Sequence, residues 1–285
     1  MADERGDDMS GLSQIWPQDP WGRVLNGALD LHTLPPEDLD AAQTAADIAL
    51  ERFGDDLHSV YLSGGMARGV NRDAVFIIIL RHLRRAVGLD LFCAAAALRV
   101  QKLHGELDSC AVEVFGWDEI FPANGCYSHP RFRLGVNSVA IAGRDLKRLI
   151  APQKLTAAAA NAFIVGMNAK LRSLQHRLKA VSTETRVRAT SRQFAQTALA
   201  GAFACVMENE QVYSEDFATM AKYVGLVLPD VENSLQLLVR LSGTGTTSSL
   251  EALAIADDVM SWLPDFAETW LDLNNPERNL TLKLV

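Results

Sequence analysis

One segment of this 285-residue sequence joins residues that bend a chain to residues that could carry chemistry: Ser63-Gly64-Gly65-Met66-Ala67-Arg68-Gly69. Ser63-Gly64-Gly65 needs a permissive backbone, and Met66-Ala67-Arg68-Gly69 can open a short helix. Ser63 is not the nucleophile of a hydrolase elbow, because G-x-S-x-G is absent. The turn also lacks the G-K-[ST] ending of a P-loop. Further on, Glu113 is the one charge within Cys110-Ala111-Val112-Glu113-Val114-Phe115. In an apolar pocket its carboxyl would have a raised pKa and could serve as a general base. At a strand edge it would simply reach solvent. Asn71 and Asp73 have i, i+2 spacing, but they sit in a polar loop and read first as turn residues. Cys126, Tyr127 and His129 lie together without a catalytic pattern. Cys93, Cys110, Cys126 and Cys205 form no C-x-x-C pair and no zinc pattern, so reduced, buried thiols are expected. Two basic clusters, Arg81-His82 with Arg84-Arg85 and Arg186 with Arg188 and Arg192, are expected on solvated helix faces.

The elements that must position these residues follow from local pattern. Pro35-Pro36-Glu37-Asp38 reads as a helix start, and Leu39–Phe53 carries Ala and Leu at helical intervals. Ser59–Leu62 is a strand signal. Ala74–Leu80 is β-branched and apolar on both faces, which predicts a central strand buried on both sides. Arg84–His104 reads as a long helix ending at Gly105. Cys110–Phe115 is a third strand, and Trp117–Phe121 a short turn or helix. Arg131–Ile141 is ambiguous between strand and helix. From Leu155 the chain becomes Ala-rich and helical in period, with breaks near Ser182, Ser214, Pro229 and Gly243-Thr244-Gly245. About five helices in an antiparallel bundle are expected. The resulting division is a flexible tail over 1–25, an α/β domain over 26–150 and a helical bundle over 151–285.

The order helix, strand, Gly-Gly turn, short helix, strand, helix, strand, with Gly64 and Ala67-Arg68-Gly69 at its centre, resembles the polymerase-β-like nucleotidyltransferases. That family's usual form is G-S-x-A-R-G, followed by S-D-I-D-L on the next strand. Here Gly65 stands in place of the serine. Ser128-His129-Pro130-Arg131-Phe132-Arg133, Gly143-Arg144-Asp145-Leu146, and Tyr213-Ser214-Glu215-Asp216 are similar to a bacterial small-molecule subgroup. The resemblance implies an α/β (α+β) nucleotidyltransferase-like fold followed by a helical bundle. It also implies a turn whose N–H groups cradle phosphate, and two aspartates and a third acid that hold Mg²⁺. Spacing from Arg68-Gly69 puts the aspartate positions on Phe76 and Ile78, which cannot ligate Mg²⁺, and the third acid near Glu113. No metal is therefore expected.

A net charge of −8 disfavours a nucleic-acid partner. No apolar run approaches the ~20 residues that span a bilayer, so no membrane partner and a cytoplasmic location are expected. The resulting expectation is a pseudoenzyme or repurposed protein, binding a nucleotide or other small molecule in an interdomain cleft. Ser63, Gly64, Gly65, Arg68, Phe76, Ile78, Arg188 and Arg192 would line that cleft, with Glu113 as a possible base. One alternative is an active Mg²⁺-dependent, antibiotic-modifying type of nucleotidyltransferase, with Glu113 and Asp73 or Asp108 as its acids. Another is a non-catalytic homodimer using Leu226-Val227-Leu228 and Trp262–Trp270.

Overall fold

A computed structural model describes residues 15–83 and 88–283. The basic residues Arg84 and Arg85 lie outside them. Two compact units result, one of residues 17–154 and one of residues 155–283 with Trp16. The α/β unit thus runs past the expected 26–150 at both ends. The reason is local pairing: β1 (Arg23–Val24) pairs antiparallel with β6 (Gln153–Lys154), tying the two ends of the unit together.

In this unit Pro36 opens α1 (Pro36–Phe53), with Glu37 and Asp38 in its first turn, where acids favour the helix N-terminus. Then come β2 (Leu57–Ser63), the short α2 (Gly65–Arg68) and β3 (Asp73–Leu80). They are followed by α3 (Leu89–Leu103), β4 (Ser109–Gly116) and α4 (Trp117–Ile120). The ambiguous stretch 131–141 splits into α5 (His129–Val136) and β5 (Val139–Gly143), with Asn137-Ser138 between them. The central sheet is mixed, in the order β4-β3-β2-β5. β3 lies antiparallel to β2 and parallel to β4, so the β3–α3–β4 segment is a crossover unit. Gly143, at the end of β5, has φ +79, and a Cβ there would overlap the His58 carbonyl.

Successive residues of a strand face opposite sides, and this sheet buries both. Phe76, Ile78 and Leu80 join Val60, Leu62 and Val112 in a core beneath α1 and α3. Tyr61, Ile77 and Ile79 face the other way, against Ile120, Leu134, Leu146 and Ile150. The expectation of a doubly buried central strand is met. The functional expectation for Phe76 and Ile78 is not. At 0% and 1% exposure they are core residues and line no ligand surface.

The second unit is all helical: α6 (Ala157–Ile164), α7 (Met167–Ala180), α8 (Glu184–Glu210), α9 (Phe217–Val227), α10 (Glu232–Thr244), α11 (Ser249–Met260) and α12 (Leu263–Asn274). The expected breaks at 182, 214, 229 and 243–245 are present. Two more, at Val165-Gly166 and Ser261-Trp262, make seven α-helices among the described residues instead of about five. Gly166 sits at φ +77 as the cap of α7, a conformation that stops the preceding helix without a proline to announce it. The 27-residue α8 is the hub, packing on α6, α7, α9, α10, α11 and α12. No helix among the described residues is long and apolar enough to cross a membrane.

Candidate functional site

The Ser63–Gly69 turn connects β2 to β3 across the end of the sheet. Gly64 has φ +87, and a Cβ there would stand 2.7 Å from the Asp73 carbonyl oxygen. Both facts demand glycine. At Gly65 the backbone is ordinary, but a Cβ would overlap the Asn71 carboxamide. Asn71 Oδ1 also accepts from Asp73 N at 3.0 Å, an Asx turn that fixes the side chain over the glycine. Asn71 thus fills the space of the side chain that the resemblance would put at position 65. Gly69 closes α2 at φ +69, and Leu29 N donates to the Ala67 carbonyl at 2.8 Å, clamping a preceding loop onto the turn.

Ser63 is fully buried, and its Oγ has no hydrogen-bond partner among the described residues. At 0% exposure Ser63 is, like Phe76 and Ile78, a core residue and lines no ligand surface, which corrects its expected place in the cleft. The orphaned hydroxyl costs about 1–3 kcal/mol. Ser63 pairs with Val75, and therefore shares the sheet face of Tyr61 and Ile77.

Glu113 lies on that same face, because the parallel register sets it beside Ile77. Phe76 and Ile78 pair with Val112 and Val114 on the opposite face. The spacing-based alignment therefore combined residues that the sheet separates. The β3 positions sharing Glu113's face are Asp73, Val75, Ile77 and Ile79. Asp73 accepts a hydrogen bond from Ser109 Oγ. It lies four residues along the strand from Glu113's register partner, about 13 Å at ~3.3 Å per residue. Asp108 Oδ2 is engaged by Arg72 N at 3.1 Å, at Asp73's end of the strand. A Mg²⁺ ion needs ligands at about 2.1 Å in a tight octahedron, so Glu113 and Asp73 cannot share one. The residues present do not fit the metal centre that the resemblance implies. Among the described residues, no group of three or more His, Cys, Asp or Glu side chains could hold a metal.

What Glu113 holds instead is Arg133. Arg133 Nη1 donates to Glu113 Oε2 at 2.7 Å, with side chains 16% and 35% exposed respectively. Of the two alternatives for Glu113, the apolar pocket is corrected to an ion pair, and the strand-edge position holds: β4 is an edge strand. Arg133 comes from α5, whose start is fixed by Ser128: its Oγ accepts from Arg131 N and donates to the Glu119 carbonyl. One helical turn before Arg133 stands His129, whose Nδ1 lies 3.5 Å from Tyr127 Oη. Burial, with the Arg133 charge adding to it, pushes the His129 pKa down to about 3. Burial pushes the Tyr127 phenol up. Both side chains are neutral at pH 7.

This has a consequence for acid stability. Unfolded His129 binds a proton near pH 6.5, while the folded imidazole resists it down to about 3. The stability it supports is complete above pH 6.5 and is lost as pH falls toward 3. His129→Gln is expected to flatten the fall in melting temperature between pH 7 and pH 4.5. Thermal melts across that range check it, and an unchanged slope would contradict the neutral imidazole.

Arg188 and Arg192 belong to the helical unit. Arg188 is exposed, and its main-chain carbonyl packs against Gly245. Arg192 Nε donates to the Ser242 carbonyl at 3.1 Å, joined there by Gln196 Nε2 at 3.0 Å. Arg192 thus caps the end of α10, where a cation is favoured. The Leu226 side of α9 is exposed beside an open groove of about 530 Å³ between α9 and α10. Within Trp262–Trp270, Leu263, Ala267 and Trp270 are core of the bundle, while Trp262 and Phe266 are half-buried.

Asn71 is the turn residue its loop position implies, whereas Arg133 was not singled out by sequence. Arg133 lay within the Ser128–Arg133 segment, but nothing in its spacing announces that a helix will carry it to Glu113. No protein-family model matches the chain, and no curated protein matches it.

Proposed function

We propose that this chain is a nucleotidyltransferase-like protein whose α/β unit binds an anionic small molecule, a nucleotide in the first instance, without a divalent metal. One observation carries the reading: Arg133 is paired with the carboxylate that the resemblance assigns to the metal. A guanidinium supplies a permanent positive charge and several fixed N–H donors, the two services a bound Mg²⁺ gives a phosphate. The order α1-β2-α2-β3-α3-β4 agrees with the resemblance, and the Gly64-Gly65 turn supports a retained binding role. Apolar residues at every position from Ala74 to Leu80 argue against two-metal transfer chemistry.

Isothermal titration with ATP, CTP, GTP and UTP, in excess EDTA and then in Mg²⁺, tests this. Binding of at least one nucleotide in EDTA, unimproved by Mg²⁺, is the expected result. Binding that needs Mg²⁺, or transfer of nucleotide label to an acceptor, would overturn it.

A further inference from the structure

The α/β unit holds a concavity whose lining includes no residue of the glycine turn. It is a cavity of about 300 Å³ where the β1–β6 ribbon meets α5, within the range of small-ligand sites. Its apolar wall is Val24, Phe132, Val136 and Ile150. Its polar groups fall into two kinds. Lys147 Nζ and Asn26 Nδ2 both donate to the Ser138 carbonyl, at 3.0 and 3.2 Å, which holds the two nitrogens side by side. An ammonium has three N–H bonds and a carboxamide two, so each keeps at least one donor beyond that carbonyl. Gln153 supplies the opposite need. Its Oε1 is buried and has no partner among the described residues. β1–β6 pairing fixes its backbone opposite Val24.

Two converging donors, one of them cationic, an orphaned acceptor and an apolar wall define a ligand by complement. We infer that this cavity binds a small carboxylate with an apolar ring or branched body and one hydrogen-bond donor at its far end. The carboxylate meets Lys147 and Asn26, the donor meets Gln153 Oε1, and the body packs on Phe132 and its neighbours. A dication or a purely apolar ligand leaves one of these groups unmet. The inference is independent of the nucleotide reading: it uses neither Glu113, Arg133 nor the glycine turn.

The test uses the full chain and three probes: 4-hydroxybenzoate, benzoate and 4-hydroxybenzamide. Titration by calorimetry gives affinities, and methyl spectra locate the probe through Val24, Val136 and Ile150. A charge-assisted hydrogen bond supports roughly a tenfold or greater preference for 4-hydroxybenzoate over the amide. The unmet Gln153 acceptor supports a several-fold preference over benzoate. Lys147→Met should erase the first preference, and Gln153→Met the second while leaving the first intact. Should Lys147→Met fail to fold, Lys147→Arg keeps the charge and should keep the carboxylate preference. Equal binding of acid and amide, shifts confined to other methyls, or no shift with any probe at millimolar concentration overturns the inference.

Discussion

Phe76→Asp, the substitution that restores an aspartate where spacing alone would place one, is expected to unfold the α/β unit. It should create no metal site. Phe76 is fully buried, paired across the sheet with Leu62 and alongside Val112, under α1 and α3. Truncating such a phenylalanine costs about 3–5 kcal/mol. An unpaired carboxylate in that core adds several more, and the sum approaches the roughly 5–15 kcal/mol that holds a domain together. Val75→Asp is the informative companion. Val75 is half-buried on the opposite face, beside Ser63 and two residues from Asp73. It is expected to fold, with a melting temperature lower by several degrees at about 2–4 °C per kcal/mol. Because positions 73 and 75 point to one side, it alone should show new affinity for Mn²⁺. Circular dichroism melts and a Mn²⁺ titration check both. A cooperative, near-native melt for Phe76→Asp together with Mn²⁺ binding would show that the two faces are assigned wrongly.

That contrast also shows what was legible in the sequence. The unbroken apolar run Ala74–Leu80 announced a strand buried on both sides, and the Gly64-Gly65 turn announced the bend before it. Both depend on residues within a few positions of one another. Which face of the strand matters is a question of register with β4, set by Asp73 lying beside Ser109, thirty-six residues away. A one-residue error in a strand moves every side chain to the other face, so a spacing argument carried across a loop fails abruptly. The same limit explains the missed Arg133. Its segment was ambiguous between helix and strand, and only as a helix beginning at Ser128 does it project a guanidinium onto Glu113. The seven-helix bundle was nearly countable, because Pro229 and Gly243-Thr244-Gly245 are overt breaks. Gly166 is a lone glycine among apolar residues and a weak signal, whereas the break at Ser261-Trp262 is marked by Pro264 in the first turn of α12, a helix start overlooked in the count of about five. Arg188 and Arg192 read as a basic cluster. Arg192's bond to the Ser242 carbonyl depends on how α8 packs on α10, and no window of sequence contains it.

Arg133→Met should then separate the proposed role of the guanidinium from its structural one. If the charge stands in for a metal, nucleotide affinity in EDTA falls roughly ten- to a hundredfold, the scale of one charge-assisted hydrogen bond. The fold should survive with a lowered melting temperature, because Glu113 keeps 35% exposure and the methionine side chain replaces the packing of the Arg133 stem. Once freed of Arg133, Glu113 faces the ligand as a bare acid. Its repulsion of phosphate is relieved by a divalent ion, so Mg²⁺ should now improve binding where it had no effect before. Glu113→Gln is expected to act in the reverse sense. It leaves the guanidinium without its carboxylate, so affinity in EDTA holds or rises and Mg²⁺ stays without effect. Arg133→Lys keeps the charge but loses the fork, and should fall between wild type and Arg133→Met. A purely structural ion pair gives another pattern: Arg133→Met and Glu113→Gln lower the melting temperature alike, and neither changes how affinity responds to Mg²⁺. Calorimetry of the four proteins, each in EDTA and in Mg²⁺, reads the difference directly. Unchanged nucleotide affinity in Arg133→Met would remove the metal-substitute role while leaving the carboxylate-binding cavity at Lys147 untouched.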